Sequence, residues 1–312
     1  PSELESPSHP GRMVSAVNAL SDHFQKAFER ERVEPAIDAP EPRREELSFP
    51  PELSQTDFDE ILSAAKSGKA AGPDGIRVET LRAVIGATDG EGRPHPAGRA
   101  LRTALLILPD VVRESRIVAI PKKGKDPTKP GSYRPITIAS QLGKLIDLVL
   151  LRSIVPWAEK NIQDNQFGFR AGRSTADAIA VVLEGVQARK KEGKPSYLVF
   201  LDLKQAYDSV PHRALLARLR SSGIGEPGVG LLQRRIQGNR TMVGIAGGTG
   251  PPIPVERGVP QGSPMSPILF NLWIDPLIRR LGDTAVAYAD DVTFWADSRE
   301  QAAAILRRAK LL

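Results

Sequence analysis

Cysteine is absent from this 312-residue chain, which excludes disulfides, thiolate zinc sites and a cysteine nucleophile. Only four histidines remain, too few to build a histidine metal cluster. Long apolar runs are missing as well. The nearest to membrane-spanning length, Leu145 to Pro156, is interrupted by Asp147 and Arg152, and nothing at the N-terminus reads as a basic-then-apolar signal sequence. These absences lead to the expectation of a soluble intracellular protein with no membrane partner.

What is present suits a globular fold. A hydrophobic content of 40% with 26% charge is ordinary, and the length allows two or more lobes. The net charge of +6 hides an asymmetry: residues 1–60 hold 6 Lys/Arg against 14 Asp/Glu, a balance of −8, which leaves residues 61–312 at +14. A basic body behind an acidic leading segment suggests a polyanionic partner, nucleic acid first. Starting at Pro1 without Met and stopping at Leu312 in helical sequence, the chain reads as a piece of something longer.

The apolar spacing of Val14, Val17, Leu20, Phe24 and Phe28 predicts a helix over 13–30, followed by a Pro- and charge-rich linker over 36–52. Thr56 with Asp59 three residues on predicts a capping box opening a helix through Lys66, broken by the Ala71 to Gly75 segment. Strands are expected at 116–121 and 133–139 around a basic loop, and at 197–201. Helices are expected at 141–157, 174–191, 211–221, 227–237 and 267–280, with two short strands around Gly247-Gly248. Mixed helices and strands with an antiparallel hairpin argue for an α+β fold.

That last hairpin carries the chemistry. In Ala287-Tyr288-Ala289-Asp290-Asp291-Val292-Thr293-Phe294-Trp295 two adjacent carboxylates sit in a tight turn between apolar runs, where their mutual repulsion calls for a nearby cation, expected to be divalent. A solvated turn using Asp-Asp only for its turn chemistry is an equally good reading of these residues taken alone. Asp202 ends the apolar strand Tyr197 to Leu201, and if the strands are neighbours the three acids converge. Two Mg²⁺ ions held roughly 3.5–4 Å apart by such acids can activate a 3′-hydroxyl and neutralise a leaving pyrophosphate.

Seven segments then occur in order between about Phe58 and Ala296: Lys69-Ala-Ala-Gly-Pro-Asp-Gly-Ile76, Ile120-Pro-Lys-Lys-Gly124, Tyr133-Arg-Pro-Ile136, Gln166-Phe-Gly-Phe-Arg170, Phe200-Leu-Asp-Leu-Lys-Gln-Ala-Tyr-Asp-Ser-Val210, Gly258-Val-Pro-Gln-Gly-Ser-Pro264 and Tyr288-Ala-Asp-Asp291. The set resembles a reverse transcriptase and is most similar to the RNA-directed DNA polymerases of non-LTR (LINE-type) retrotransposons. The resemblance implies a right-hand polymerase with fingers and an antiparallel palm sheet. Residues 1–52 would be an N-terminal helix and linker, 53–196 mainly fingers and 197–312 mainly palm, with the thumb missing. It implies an RNA template, a DNA primer and dNTPs as partners, two Mg²⁺ as cofactors with Mn²⁺ as substitute, and a nuclear location within a full retrotransposon protein. The oligomeric state has no signature in the sequence.

By the same resemblance Asp202, Asp290 and Asp291 are catalytic, and with Leu203 they hold metal. Tyr207 would sit beneath the sugar of the incoming nucleotide, where a rigid ring clashes with a 2′-hydroxyl. Lys122, Lys123 and Arg134 suit a triphosphate, as do Gln261 and Gly262 in a Gly-rich loop before a helix. Either Lys122 or Lys123 could face the phosphates. Phe167, Phe169, Arg170 and Arg173 suit backbone binding and base stacking, with core packing the expectation for one of the two Phe. Asp208 is expected to be structural, capping the helix near Pro211, and Ser263 and Ser266 are expected to cap the next one. Beyond Trp295 the family's Lys-bearing segment and thumb are not matched, and no segment matches an endonuclease or RNase H. A group II intron or bacterial enzyme, a domesticated RNA-binding scaffold and, more remotely, an RNA-dependent RNA polymerase are the competing readings; Tyr207 speaks against the last and the three acids against a scaffold.

Overall fold

The computed structural model describes residues 10–28, 54–105, 110–203, 205–245, 248–260 and 262–309. The linker expected at 36–52 lies outside them. The described chain opens with helix α1 (Pro10–Phe28), then α2 (Gln55–Ala64), α3 (Val78–Ile85) and α4 (Pro96–Ala104). Helix α2 does begin with a capping box, but two residues earlier than Thr56 and Asp59: the Asp57 amide donates to Ser54 Oγ and the Ser54 amide to the Asp57 carboxylate. That start turns Phe58, Ile61 and Leu62 into the core.

Strands β1 (Glu114–Pro121) and β2 (Tyr133–Ala139) form the expected hairpin. Helices α5 (Gln141–Asn161) and α6 (Thr175–Lys191) follow, the second opened by a Ser174–Asp177 capping box. After β3 (Tyr197–Leu201) come the single turn α7 (Ala206–Ser209), then α8 (His212–Ser221) and α9 (Glu226–Ile236). Strands β4 (Arg240–Ile245), β5 (Gly248–Thr249) and β6 (Ile253–Pro254) lead to α10 (Ser266–Leu281), β7 (Ala285–Tyr288), β8 (Asp291–Ala296) and α11 (Arg299–Arg308).

Two sheets result. The first runs β2-β1-β4-β5 with β6 also on β4, and β4 lies parallel to β1, so residues 240–254 return to the sheet of the β1–β2 hairpin. Leu20 and Phe24 of α1 pack on its face against Ile117, Val243 and Ile253. The second sheet, β3-β8-β7, is wholly antiparallel, as expected.

Alternation along β8 sends Val292, Phe294 and Ala296 into the main core with α10, while Trp295 faces α6. Gly185 of α6 is where the helix crosses that indole: an added Cβ would come within 2.5 Å of the Trp295 ring. Helix α6 thus covers β7 and Trp295 of β8, Leu198 and Phe200 of β3 stay exposed, and Asp202 and Asp291 at the β3–β8 end are open to solvent.

Candidate active site

Strand register places the three acids at one end of the second sheet. Leu201 of β3 pairs with Val292 of β8, so the next step along the ladder sets Asp202 across from Asp291. Tyr288 pairs with Asp291, which makes Ala289 and Asp290 the two-residue turn of the hairpin. Asp202 and Asp291 are exposed and Asp290 is half-buried. Among the described residues no Lys or Arg pairs with any of the three, and no three His, Cys, Asp or Glu side chains are gathered around a common point. Leu203 could offer an ion only its backbone carbonyl.

The turn is tight and strained. Ala289 has φ 57, a left-handed conformation that costs a non-glycine residue roughly 1–2 kcal/mol and persists only where neighbours hold it. The neighbour is the 165–168 loop, which adds to the free edge of β7. The Phe167 amide donates to Ala287 O at 2.7 Å, the Ala287 amide to Asn165 O at 2.8 Å, and Asn165 Nδ2 to Ala285 O at 2.8 Å. Gly168 lies flat on the turn, where a Cβ would meet the Ala289 nitrogen at 2.2 Å. Asn271 of α10 donates to Gly168 O from behind.

Tyr207 is half-buried beside this turn, its ring centroid 4.7 Å from that of Phe270 and 6.4 Å from that of Phe169, the Tyr207 and Phe169 rings standing edge to face. Its hydroxyl is buried without a hydrogen-bond partner. Burial, and then the charge of Asp290, push the phenol pKa well above its ordinary value, so the ring stays neutral.

The 258–263 loop is fastened to the same segment. The Gly258 amide donates to Val210 O at 2.7 Å, the Val259 amide to Tyr207 O at 2.9 Å, and His212 Nε2 lies 2.8 Å from Gly258 O. Gly258, at φ 89, runs so close to Asp208 that a Cβ would sit 2.9 Å from its Cα. Gln261 lies outside the described residues. Gly262 is exposed at φ 81 and faces Thr137 O of β2. Neither serine caps α10, whose N-cap Met265 has no side-chain partner: Ser263 Oγ accepts from the Met265 amide ahead of the helix, and Ser266 Oγ donates back to Pro260 O, which corrects the capping role expected for both. Asp208 lies within α7, and α8 has no side-chain cap, which corrects the capping role expected for Asp208.

The basic residues divide by what they already hold. Lys122 is half-buried and its Nζ donates to Gly131 O at 3.0 Å, while Lys123 and Arg134 are exposed at the loop end of the β1–β2 hairpin. Of the two lysines, Lys123 is the one left facing solvent. Phe167 is buried against Ala178 and Val286, and Phe169 is exposed at φ 56, which makes Phe167 the core member of the pair.

Arg170 is not on the surface as its expected binding role required. Its guanidinium is buried and donates to the Glu159 carboxylate and to the carbonyls of Glu159, Gln163 and Gln166. Arg173 lies over the Phe167 ring at 5.4 Å and pairs with Asp164 at 2.8 Å. Gln166, Asn271 and His212 were not foreseen as site residues. The only signal for Gln166 was its position at the head of the Gln-Phe-Gly-Phe-Arg segment.

Residues 120–310 match the family model described as reverse transcriptase (RNA-dependent DNA polymerase). The chain is 30% identical over 263 residues to the retrovirus-related Pol polyprotein from type-2 retrotransposable element R2DM of Drosophila melanogaster, an alignment covering 78% of this chain and 23% of that protein. It is 31% identical over 275 residues to the putative 115 kDa protein in type-1 retrotransposable element R1DM of the same fly, covering 84% and 25%. A third relative, the probable RNA-directed DNA polymerase from transposon BS, also of that species, is 28% identical over 291 residues, covering 86% and 30%. The chain thus spans about a quarter of the length of these relatives. A family match over more than half of the sequence, around an open sheet end carrying Asp202, Asp290 and Asp291, makes this chain a member of the reverse transcriptase family.

Proposed function

We propose that this chain carries the nucleotidyl-transfer centre of a non-LTR retrotransposon protein, extending a DNA primer on an RNA template with dNTPs. The observation that carries this reading is the β3–β8 register, which sets Asp202 across from Asp291 beside the Asp290 turn with no cation from the described residues to offset them. The β3-β8-β7 sheet with α10 is then the palm, and the sheet bearing the β1–β2 hairpin belongs to the fingers. The relatives named as retrotransposon proteins support the retrotransposon origin, and that origin in turn supports a nuclear site of action.

The donor set is all oxygen, as Mg²⁺ requires, with Mn²⁺ a natural substitute. Asp202, Asp290, Asp291 and the Leu203 carbonyl would hold it. Bound there, a pair of Mg²⁺ ions would lower the pKa of the primer 3′-hydroxyl and neutralise charge on the leaving pyrophosphate.

The chain's own residues supply the rest. Tyr207, flat on Phe270, offers a rigid neutral floor for a deoxyribose and no room for a 2′-hydroxyl. Lys123 and Arg134, free at the hairpin end, suit the triphosphate as a point charge and a planar fork. Phe169, exposed over Tyr207, offers a stacking face.

The test is primer extension on RNA by the full-length protein. Asp290→Asn and Asp291→Asn should each lower extension by roughly two orders of magnitude or more while leaving RNA binding unchanged. Extension at the unaltered rate in either variant would overturn the site.

A further inference from the structure

One side chain holds the strained turn by both of its backbone groups. Gln166 is wholly buried, and its Oε1 accepts from the Ala289 amide at 2.9 Å and from the Gly168 amide at 2.8 Å, while its Nε2 donates to Ala289 O at 3.2 Å. The amide can be oriented only one way. A swapped group would aim Nε2 hydrogens at two N–H donors and an oxygen at a carbonyl.

The clamp is itself braced. Gln166 O accepts from the buried guanidinium of Arg170, which also binds Gln163 O and the Glu159 carboxylate. The parallel bridge between Gln166 and Ala287 fixes the loop along β7, and Asn271 ties Gly168 to α10. These contacts fix the loop from which Gln166 reaches the two-residue turn that carries Asp290 and leads into Asp291.

We infer that Gln166 is a positioning residue: its buried side-chain amide fixes the Ala289 turn, and so sets the orientation in which Asp290 and Asp291 receive divalent metal. A hairpin alone does not require this. Two-residue turns usually rely on Gly, Asn or Asp for their positive φ, and this one uses Ala with an outside clamp. Alanine keeps the turn from exploring the other conformations that glycine would allow, and Gln166 compensates for the strain that alanine brings. Partners that orient a metal ligand from behind commonly change metal affinity or activity by about 10–100-fold when removed. The inference rests on the polymerase reading for its metal, but the clamp can be measured without it.

The first measurement is hydrogen exchange on the unaltered, metal-free protein. The Ala289 amide, held among the described residues by Gln166 alone, should exchange at least about tenfold more slowly than an open turn amide. Exchange at the open-turn rate would overturn the clamp. The second uses Gln166→Met in the full-length protein, a substitution of similar shape that makes none of the three bonds.

Its half-saturating Mg²⁺ in primer extension, and its Mn²⁺ dissociation constant read by electron paramagnetic resonance, should both rise by about tenfold or more. KM for dNTP should stay close to that of the unaltered protein, while the melting temperature should fall, because the buried Ala289 and Gly168 amides lose their acceptor. An unchanged metal requirement would overturn the inference. So would an equal weakening of metal and dNTP binding, which marks a residue needed only for folding. Asp290→Asn serves as the control that separates the two ideas: if it leaves Mn²⁺ binding and extension untouched, the polymerase reading of the site fails, whatever the exchange rate of Ala289.

Discussion

The rings of Tyr207 and Phe270 lie 4.7 Å apart and within 18° of parallel, and Phe270 is fully buried in α10. Tyr207 is therefore fixed by its face. Its hydroxyl, buried and without a hydrogen-bond partner, contributes no anchoring bond. The backbone adds to this, since Val259 donates to Tyr207 O and couples the ring to the loop that precedes α10. The proposed role of Tyr207 in excluding a 2′-hydroxyl would need rigidity more than polarity, and stacking on a core aromatic supplies it.

Tyr207→Phe should accordingly keep deoxynucleotide selectivity and leave stability unchanged or raised by up to about 1 kcal/mol, because an unsatisfied buried hydroxyl is removed. Tyr207→Ala should admit ribonucleotides and cost roughly 2–4 kcal/mol through lost packing. Single-nucleotide extension with rNTP against dNTP, and urea denaturation, read the two effects separately. Unchanged sugar selectivity in Tyr207→Ala would remove the ring from the specificity account.

Away from the site, Asp147 of α5 and Arg235 of α9 form a buried two-point pair, at 2.6 and 2.8 Å. Helix α9 runs into β4, so the pair helps hold the first sheet to the helices packed under the second. Arg235→Met alone should cost about 3–5 kcal/mol by stranding a buried carboxylate, and Asp147→Leu with Arg235→Met should recover most of it. Urea midpoints of the two variants decide this. A double variant no better than the single one would show that the pair is needed for more than mutual neutralisation.

Local chemistry made much of this fold readable. The strands at 133–139 and 197–201 lie where their apolar runs end, and the capping logic of α2 was right in kind but two residues late, because Ser54-x-x-Asp57 competes with Thr56-x-x-Asp59 and wins by aiming Phe58 inward. Helices α3 and α4 escaped notice: neither carries a Ser, Thr, Asp or Asn cap, and both sit among Gly and Pro. The parallel pairing of β1 with β4, more than a hundred residues apart, has no local signal at all. At the site, the acids could be read from their types and strand ends. The difference between Phe167 and Phe169 could not, since it depends on Phe167 joining the β7 edge while Phe169 takes a left-handed backbone.

His212 gives the acid side of stability a definite sign. Burial, and then the charge of Arg257, hold its pKa below the ordinary value near 6.5, although the bond to Gly258 O works the other way. Below about pH 6.5 the unfolded chain therefore binds a proton that the fold resists. The stability from neutral His212 is fully present above that pH and is lost progressively as pH falls toward the folded value. Melting temperatures between about pH 5 and 7.5 should drop on the acid side, and His212→Gln should flatten that limb. Identical slopes in the two proteins would assign the acid sensitivity elsewhere.

Arg170 and Lys123 should separate folding from nucleic-acid binding. Arg170 is buried on three carbonyls and a carboxylate, so Arg170→Ala should cost roughly 2–4 kcal/mol while leaving the salt dependence of RNA binding as it was. Lys123 is exposed with no bond to give up, so Lys123→Ala should leave the melting temperature within a degree or two and act on ligands alone. If Lys123 meets the triphosphate, KM for dNTP rises while the salt slope stays fixed. If it meets the template backbone, the slope of log K against log salt falls by about 1 and KM for dNTP is unchanged. Binding titrations across a salt series, with extension kinetics on the same two variants, tell these apart, and a Lys123→Ala protein altered in neither would take that side chain out of the site.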